Sequence, residues 1–195
     1  MLIPGKDRYT FADILESPDE EWIEIIDGAL YPMASPGRIH QEIFGNLLCQ
    51  LRLQLKSETS KILHSIGVRP FEKPNDKPSN VDTFVLPDIT AVFEPKKFDE
   101  FGFKGAPDLI AEIISPASRY LDTVTKFELY EKAGVQEYWI ADPDDKSIKT
   151  YVLDRNAGKL RLAHEVREHG MIELTLRKGV LVDVGEAFAD EIYRL

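Results

Sequence analysis

Three side chains carry the chemical argument: Asp88, Glu112 and Lys126. Asp88 interrupts the apolar run Phe84-Val85-Leu86-Pro87-Asp88-Ile89-Thr90-Ala91-Val92-Phe93. Glu112 interrupts Asp108-Leu109-Ile110-Ala111-Glu112-Ile113-Ile114-Ser115, and Lys126 closes Asp122-Thr123-Val124-Thr125-Lys126. Both apolar runs are short and rich in β-branched residues, so they read as strands. A carboxylate in such a run is costly unless it is paired or holds a metal. Strands that neighbour one another lie ~4.8 Å apart, so the two carboxylates can share one ion. Mg²⁺ takes one or two protein carboxylates and fills its shell with water and substrate phosphate. Two carboxylates and an ammonium are the minimum set for metal-assisted phosphodiester hydrolysis, in which the ion polarises the phosphate and lowers the pKa of an attacking water.

Other residues compete for or support these roles. Pro87 has no N–H for a ladder, so Asp88 is expected at an edge or distortion that aims the carboxylate outward. Asp108 also follows a proline and rivals Asp88. It stands four residues before Glu112, and a strand spans about 13 Å over that distance, too far for easy co-ligation. Residues two apart share a strand face, so the partner of Glu112 is Ile114, where a nuclease of the usual pattern would want lysine. Lys126 can substitute if the next helix carries it back over the sheet. Asp122 lies four residues before it on the same helix face and either orients the ammonium or caps the helix. Glu24 is solvent-facing or a third acid at the site, and alternation alone does not choose. His40 opens a long helix, whose N-terminus could face phosphate. His164 and His169 are five apart, a spacing that suits neither a strand face nor a helical zinc motif. Tyr138-Trp139-Ile140 reads as core.

The elements that must position these residues follow from pattern. Thr10 to Glu16 reads as a short helix. Asp27-Gly28 between two apolar runs predicts a hairpin. Ile39, Ile43, Phe44, Leu47, Leu48, Leu51 and Leu55 have helical spacing. Lys61 to Val68 reads as one strand, Glu72 to Asn80 as a loop. A helix is expected from about Asp122 to Ala133, stopped by Gly134. Strands at Gln136–Ala141 and Ser147–Leu153, weaker strands beyond, and a short helix from Val184 to Tyr193 complete the pattern. The order gives an α+β (mixed α/β) fold, a central mixed sheet flanked by helices, with an N-terminal hairpin and C-terminal strands. One domain over 1–195 is expected, its core about 22–153.

With 195 residues, 43% of them hydrophobic, the chain can bury roughly 70% of its unfolded surface and needs no covalent staples. Its one cysteine, Cys49, excludes an internal disulfide and is expected as a buried thiol in the long helix. No apolar run approaches a membrane span, so a cytoplasmic location is expected. The net charge of −10 counts against casual nucleic-acid binding, yet a bound cation restores positive potential locally.

Taken together, Glu24-Ile25-Ile26-Asp27-Gly28, His40-Gln41, Leu86-Pro87-Asp88-Ile89, Gly105-Ala106-Pro107-Asp108-Leu109, Glu112-Ile113-Ile114-Ser115-Pro116, Asp122 with Lys126 and Tyr130, and the run from Gly134 to Pro143 are distinctive in this order. With them the chain resembles the PD-(D/E)XK nuclease superfamily and, more closely, the Uma-two family of restriction-endonuclease-like proteins. The resemblance implies a four-stranded mixed core sheet with helices on both sides and a divalent metal cofactor, Mg²⁺ or Mn²⁺. It implies that Asp88 and Glu112 are metal ligands and that the catalytic lysine has moved from the strand onto the helix, at Lys126. The main-chain carbonyl of Ile113 is expected as a further ligand. The expected activity is DNA hydrolysis by an endonuclease, with homodimerisation a base-rate expectation. The alternatives are a non-catalytic nucleic-acid-binding or interaction protein that keeps the fold, and a hydrolase of other phosphate esters.

Overall fold

The computed structural model describes residues 6–16, 22–55, 60–93 and 95–190. Thr10 and Asp13 form a capping box at the start of α1 (Phe11–Leu15). Strands β1 (Ile23–Ile26) and β2 (Ala29–Pro32) form the expected hairpin. Asp27 and Gly28 both take positive φ at its turn, +49° and +81°, as a two-residue hairpin turn requires. Helix α2 (Arg38–Gln54) follows, then β3 (Lys61–His64), β4 (Val68–Arg69), β5 (Ile89–Val92), β6 (Phe98–Asp99), β7 (Gly102–Lys104) and β8 (Leu109–Ile113). One widened helical turn, Leu121–Thr125, runs directly into α3 (Lys126–Ala133). The remainder is β9 (Glu137–Asp142), β10 (Ser147–Asp154), β11 (Lys159–Arg167), β12 (Met171–Glu173), β13 (Leu181–Asp183) and α4 (Val184–Ala187). Residues 191–195, into which the expected last helix runs, lie outside the described residues.

The central sheet is mixed, in the order β11-β10-β9-β8-β5-β3, with only β8 and β9 parallel. A parallel pair needs a crossover, and 121–133 supplies it. The sheet has six strands where four were implied, because β10 extends it beyond β9 and the nine-residue β11 forms the edge. Strands β5 and β8 are buried at every position, as continuous apolar runs in a sheet covered on both faces should be. Edge strand β11 is largely exposed and carries Arg161, Glu165 and Arg167, charges that discourage further pairing.

The period of two sorts the strands between two layers. Ile89, Ala91, Leu109, Ala111, Ile113, Trp139 and Ala141 face α2, which contributes Ile43, Leu47, Leu48 and Leu51. Val92, Ile110, Ile114, Tyr138 and Ile140 face α3, which contributes Leu129 and Tyr130. Glu112 falls between Ala111 and Ile113 in the alternation and therefore points toward α3. The fold is the expected α+β one, a central mixed sheet with helices on both faces.

Three expectations need correction. The run from Lys61 to Val68 is not one strand: Ser65 takes φ +45°, and Val68–Arg69 joins a separate three-stranded sheet, β4-β7-β6. Of the two alternatives at Pro87, an edge or a distortion, the edge does not hold, and Asp88 sits at a bend. Strand β5 is internal, and Pro87-Asp88 lies just before its first residue, where no ladder N–H is needed. Cys49 is exposed, because it falls on the solvent side of α2 opposite Leu47, Leu48 and Leu51. Among the described residues no helix is long and apolar enough to cross a membrane.

Candidate active site

Asp88 and Glu112 meet where β8 outruns β5. Ile89 pairs with Ala111, so the next position along β8 has no β5 residue inside the ladder. The two acids close the gap reciprocally. The Asp88 N–H donates to Glu112 Oε2 at 3.1 Å, and the Ile113 N–H donates to Asp88 Oδ2 at 2.8 Å. Glu112 Oε1 accepts from Lys126 Nζ at 3.0 Å and from the Tyr130 hydroxyl at 2.9 Å. Asp122, Lys126 and Tyr130 stand at i, i+4 and i+8 and so present one helical face to β8. The turn before α3 is wider than an α-helical turn, a distortion that recurs at functional sites.

Lys126 is 2% exposed and is held by three carboxylates: Glu24 at 2.9 Å, Glu112 at 3.0 Å and Asp122 at 3.5 Å. The open question about Glu24 resolves inward. It is fully buried, and its Oε1 also accepts the Leu86 N–H at 2.8 Å, which ties the hairpin to the segment leading into Asp88. On the other flank, His40 donates from Nε2 to Asp88 Oδ2 at 3.1 Å. It reaches across from the first turn of α2, the helix on the opposite layer. The structure thus brings together all six side chains singled out above: Glu24, His40, Asp88, Glu112, Asp122 and Lys126. Tyr130 belongs with them. Its signal was the i+4 step from Lys126, which by itself reads as core spacing.

The electrostatics are lopsided. Burial is the largest influence on Glu112 and pushes its carboxyl well above the usual range; Lys126 pulls it down, but Asp122, Asp88 and Glu24 push it further up. Asp122 is raised mainly by burial, against the pull of Lys126. Burial would strip the Lys126 proton, yet Glu112, Glu24 and Asp122 outweigh it and hold the ammonium charged well past the normal lysine range. Burial also opposes a charge on His40, but the hydrogen bond and charge of Asp88 win and raise its pKa. The Ile113 main chain adds to that rise.

These residues floor a cavity of about 500 Å³, walled by the start of β1, the end of β2, the 33–37 segment and the start of α2. Among the described residues, four carboxylates share this floor with one lysine. No three described His, Cys, Asp or Glu side chains form a ready-made metal cluster. Two adjoining carboxylates, Asp88 and Glu112, fit Mg²⁺ or Mn²⁺ without such a cluster, since these ions keep several waters. The buried Glu24 Oε2, with no hydrogen-bond partner among the described residues, marks the same deficit of positive charge. Asp108 is elsewhere: its Oδ2 accepts the Phe93 N–H at 2.8 Å at the opposite end of the β5–β8 pairing. His164 is exposed on edge strand β11, bonded to Thr150, with no part in the site.

The family model described as "Uma2: Putative restriction endonuclease" matches residues 10–184. The chain belongs to the Uma2 family. Its match spans α1 to the start of α4 and so contains every Uma2 site element described above. Among solved structures, a "putative nuclease belonging to DUF820" from Anabaena variabilis ATCC 29413 superposes with a TM-score of 0.70. At 16% identity it covers 92% of this chain and 97% of its own, a likeness of fold. No curated protein matches this Uma2 chain.

Proposed function

We propose that this protein is a divalent-metal-dependent endonuclease acting on DNA. Asp88, Glu112 and the Ile113 carbonyl would hold Mg²⁺ or Mn²⁺. The observation that carries the reading is the gathering of three carboxylates on a single ammonium, with Asp88 beside them, on the floor of an open cavity. Such an excess of buried negative charge is costly unless a cation shares it. A bound ion would polarise the scissile phosphate and acidify an attacking water.

The protein's own groups take distinct parts. Lys126 is held firmly protonated, so it serves as a fixed cation rather than a base. Its ammonium stabilises negative charge that grows on the phosphate. Glu24 and Asp122 orient that ammonium from two sides. Tyr130 donates to Glu112 Oε1 and fixes the carboxylate's rotamer, leaving Oε2 toward Asp88. The Ile113 N–H does the same for Asp88. Gly37, His40 and Gln41 line the cavity at the start of α2, where free helix N–H groups favour phosphate.

Calorimetry with Mn²⁺, paired with cleavage of plasmid and oligonucleotide DNA, tests the assignment. Wild type should bind and cleave, while Asp88→Ala and Glu112→Ala should do neither. A second reading has its own support: among the described residues Lys126 is the only lysine or arginine lining the cavity, and the chain's net charge is −10. A wild type inert toward single- and double-stranded DNA and RNA with both metals would favour a non-catalytic interaction protein on the nuclease fold.

A further inference from the structure

We infer that the part of the cavity beside Trp22 is a nucleobase subsite, and that the substrate enters it as an unpaired nucleotide stacked on that ring. The inference rests on the phosphodiester reading of the acidic floor and adds the form of the substrate. The cavity's lining is chemically mixed: Asp88, Glu112 and Lys126 share it with the apolar side chains Trp22, Met33 and Phe44. Trp22 is 49% exposed, although β1 immediately after it is buried at every position. Its backbone is fixed where it stands: the Met33 N–H donates to the Trp22 carbonyl at 2.8 Å, continuing the β1–β2 ladder. The backbone that carries the indole is therefore anchored to the hairpin at the cavity wall.

The space beside it is left open by small residues. The adjoining wall is Ala34-Ser35-Pro36-Gly37, with Gly45 on the facing helix. A cavity of about 500 Å³ accepts a nucleotide-sized ligand and is far too narrow for a duplex. Charge points the same way. Duplex binders track the backbone with lysine and arginine, and the only such side chain among the described lining residues, Lys126, is already engaged by three carboxylates. Affinity for a strand must then come from the metal at the phosphate and from the face of a base. Stacking on an aromatic ring supplies the second and tolerates every base, because each has a π-face. Trp22 is thus a substrate-binding residue that selects single-stranded, frayed or flipped nucleotides over intact duplex.

Intrinsic fluorescence reads this directly. The other tryptophan, Trp139, is 1% exposed in the core, so quenching by a ligand reports Trp22. Two probes separate the base site from the metal chemistry. The first is a short single-stranded oligothymidylate titrated into the full chain with Ca²⁺. The second is an oligothymidine with uncharged methylphosphonate linkages, titrated without metal. Both should quench, whereas a duplex of the same sequence and an abasic strand should not. Trp22→Ala should abolish the quench and weaken competition for single strands by about 5- to 150-fold. Trp22→Phe should restore most of the affinity.

Equal quenching by abasic and base-bearing strands overturns the subsite, as does quenching by neither oligothymidine probe. Quenching that persists when the protein cleaves nothing leaves the subsite standing and removes the nuclease reading. Cleavage that is equal for Trp22→Ala and wild type on single strands removes the subsite and leaves the nuclease.

Discussion

Two clusters of buried charge can be set side by side, and they are built to opposite ends. Around Arg69, whose side chain is fully buried, Glu72 stands at 2.6 Å and Asp99 at 2.7 Å, and Lys104 bonds both acids at 2.9 and 3.2 Å. The guanidinium also lies 4.5 Å from the centre of the Phe11 ring. Two cations meet two carboxylates, and the result is a balanced tie between β4, β6 and β7. Around Lys126, by contrast, one cation meets Glu24, Glu112 and Asp122, with Asp88 beyond. The carboxyl groups register the difference. Burial pushes Asp99 upward, but Arg69 and Lys104 outweigh it and leave its pKa lowered. Glu112 is left raised. Burial of charge does not distinguish a site from a strut. Imbalance beside an open cavity does.

The largest expected effect breaks the unbalanced cluster at its ion-binding groups. Asp88→Ala and Glu112→Ala should each lose Mn²⁺ binding in calorimetry and reduce DNA cleavage by at least about 10²–10³-fold. Unchanged binding in both would remove the assignment.

Lys126→Ala is next. On propensity alone alanine suits a helix, and the sequence predicts a tolerant site. The structure argues otherwise, since the change leaves three buried carboxylates uncompensated. Denaturant melts should show a loss of about 3–5 kcal/mol. Single-turnover cleavage by the folded fraction should fall about 10²–10³-fold. Lys126→Arg should restore little of the rate, because a planar fork does not replace a compact ammonium.

Arg69→Ala supplies the contrast: a similar loss of about 3–5 kcal/mol for a broken buried pair, with Mn²⁺ affinity of the folded protein unchanged. Added Mn²⁺ should recover stability in Lys126→Ala more than in Arg69→Ala. Equal recovery would erase the distinction between the clusters.

A smaller effect is set by pH. Because the folded-state pKa of Glu112 is raised above the ordinary 4.5, the protonated carboxyl favours the folded chain, and that contribution is lost as pH rises through the folded value. Metal-free melting temperatures should therefore decline upward from about pH 5, Mg²⁺ should flatten the decline, and Glu112→Gln should lack it. A metal-free protein that gains stability over this range would contradict the excess of buried acid. Least of all should Asp108→Asn matter, since its side chain can still accept the Phe93 N–H. Mn²⁺ affinity should stay within about twofold, a shift of roughly 0.4 kcal/mol.

The sequence by itself determined the residue types of the site and the periods that point them. Alternation in 109–114 fixed Glu112 on the face opposite Leu109, Ala111 and Ile113. The four-residue steps among Asp122, Lys126 and Tyr130 fixed a shared helix face, and Asp27-Gly28 fixed the hairpin. These are local properties, set by backbone geometry within a few residues. What the sequence left open was long-range. Whether Glu24 faced solvent or the site depended on the Ile25–Phe84 bridge, which joins residues far apart along the chain. The role of His40 depended on α2 reaching the end of β5 from the opposite layer. Two of the misread elements failed for the same reason. The run 61–68 divides because Val68 finds its partner in β7, and Cys49 is exposed because packing on the sheet sets which side of α2 is covered. The 4:1 balance of charge around Lys126 is likewise invisible along the chain. Coulomb attraction and burial depend on distance in space, and only the folded layers bring these five groups to one cavity floor.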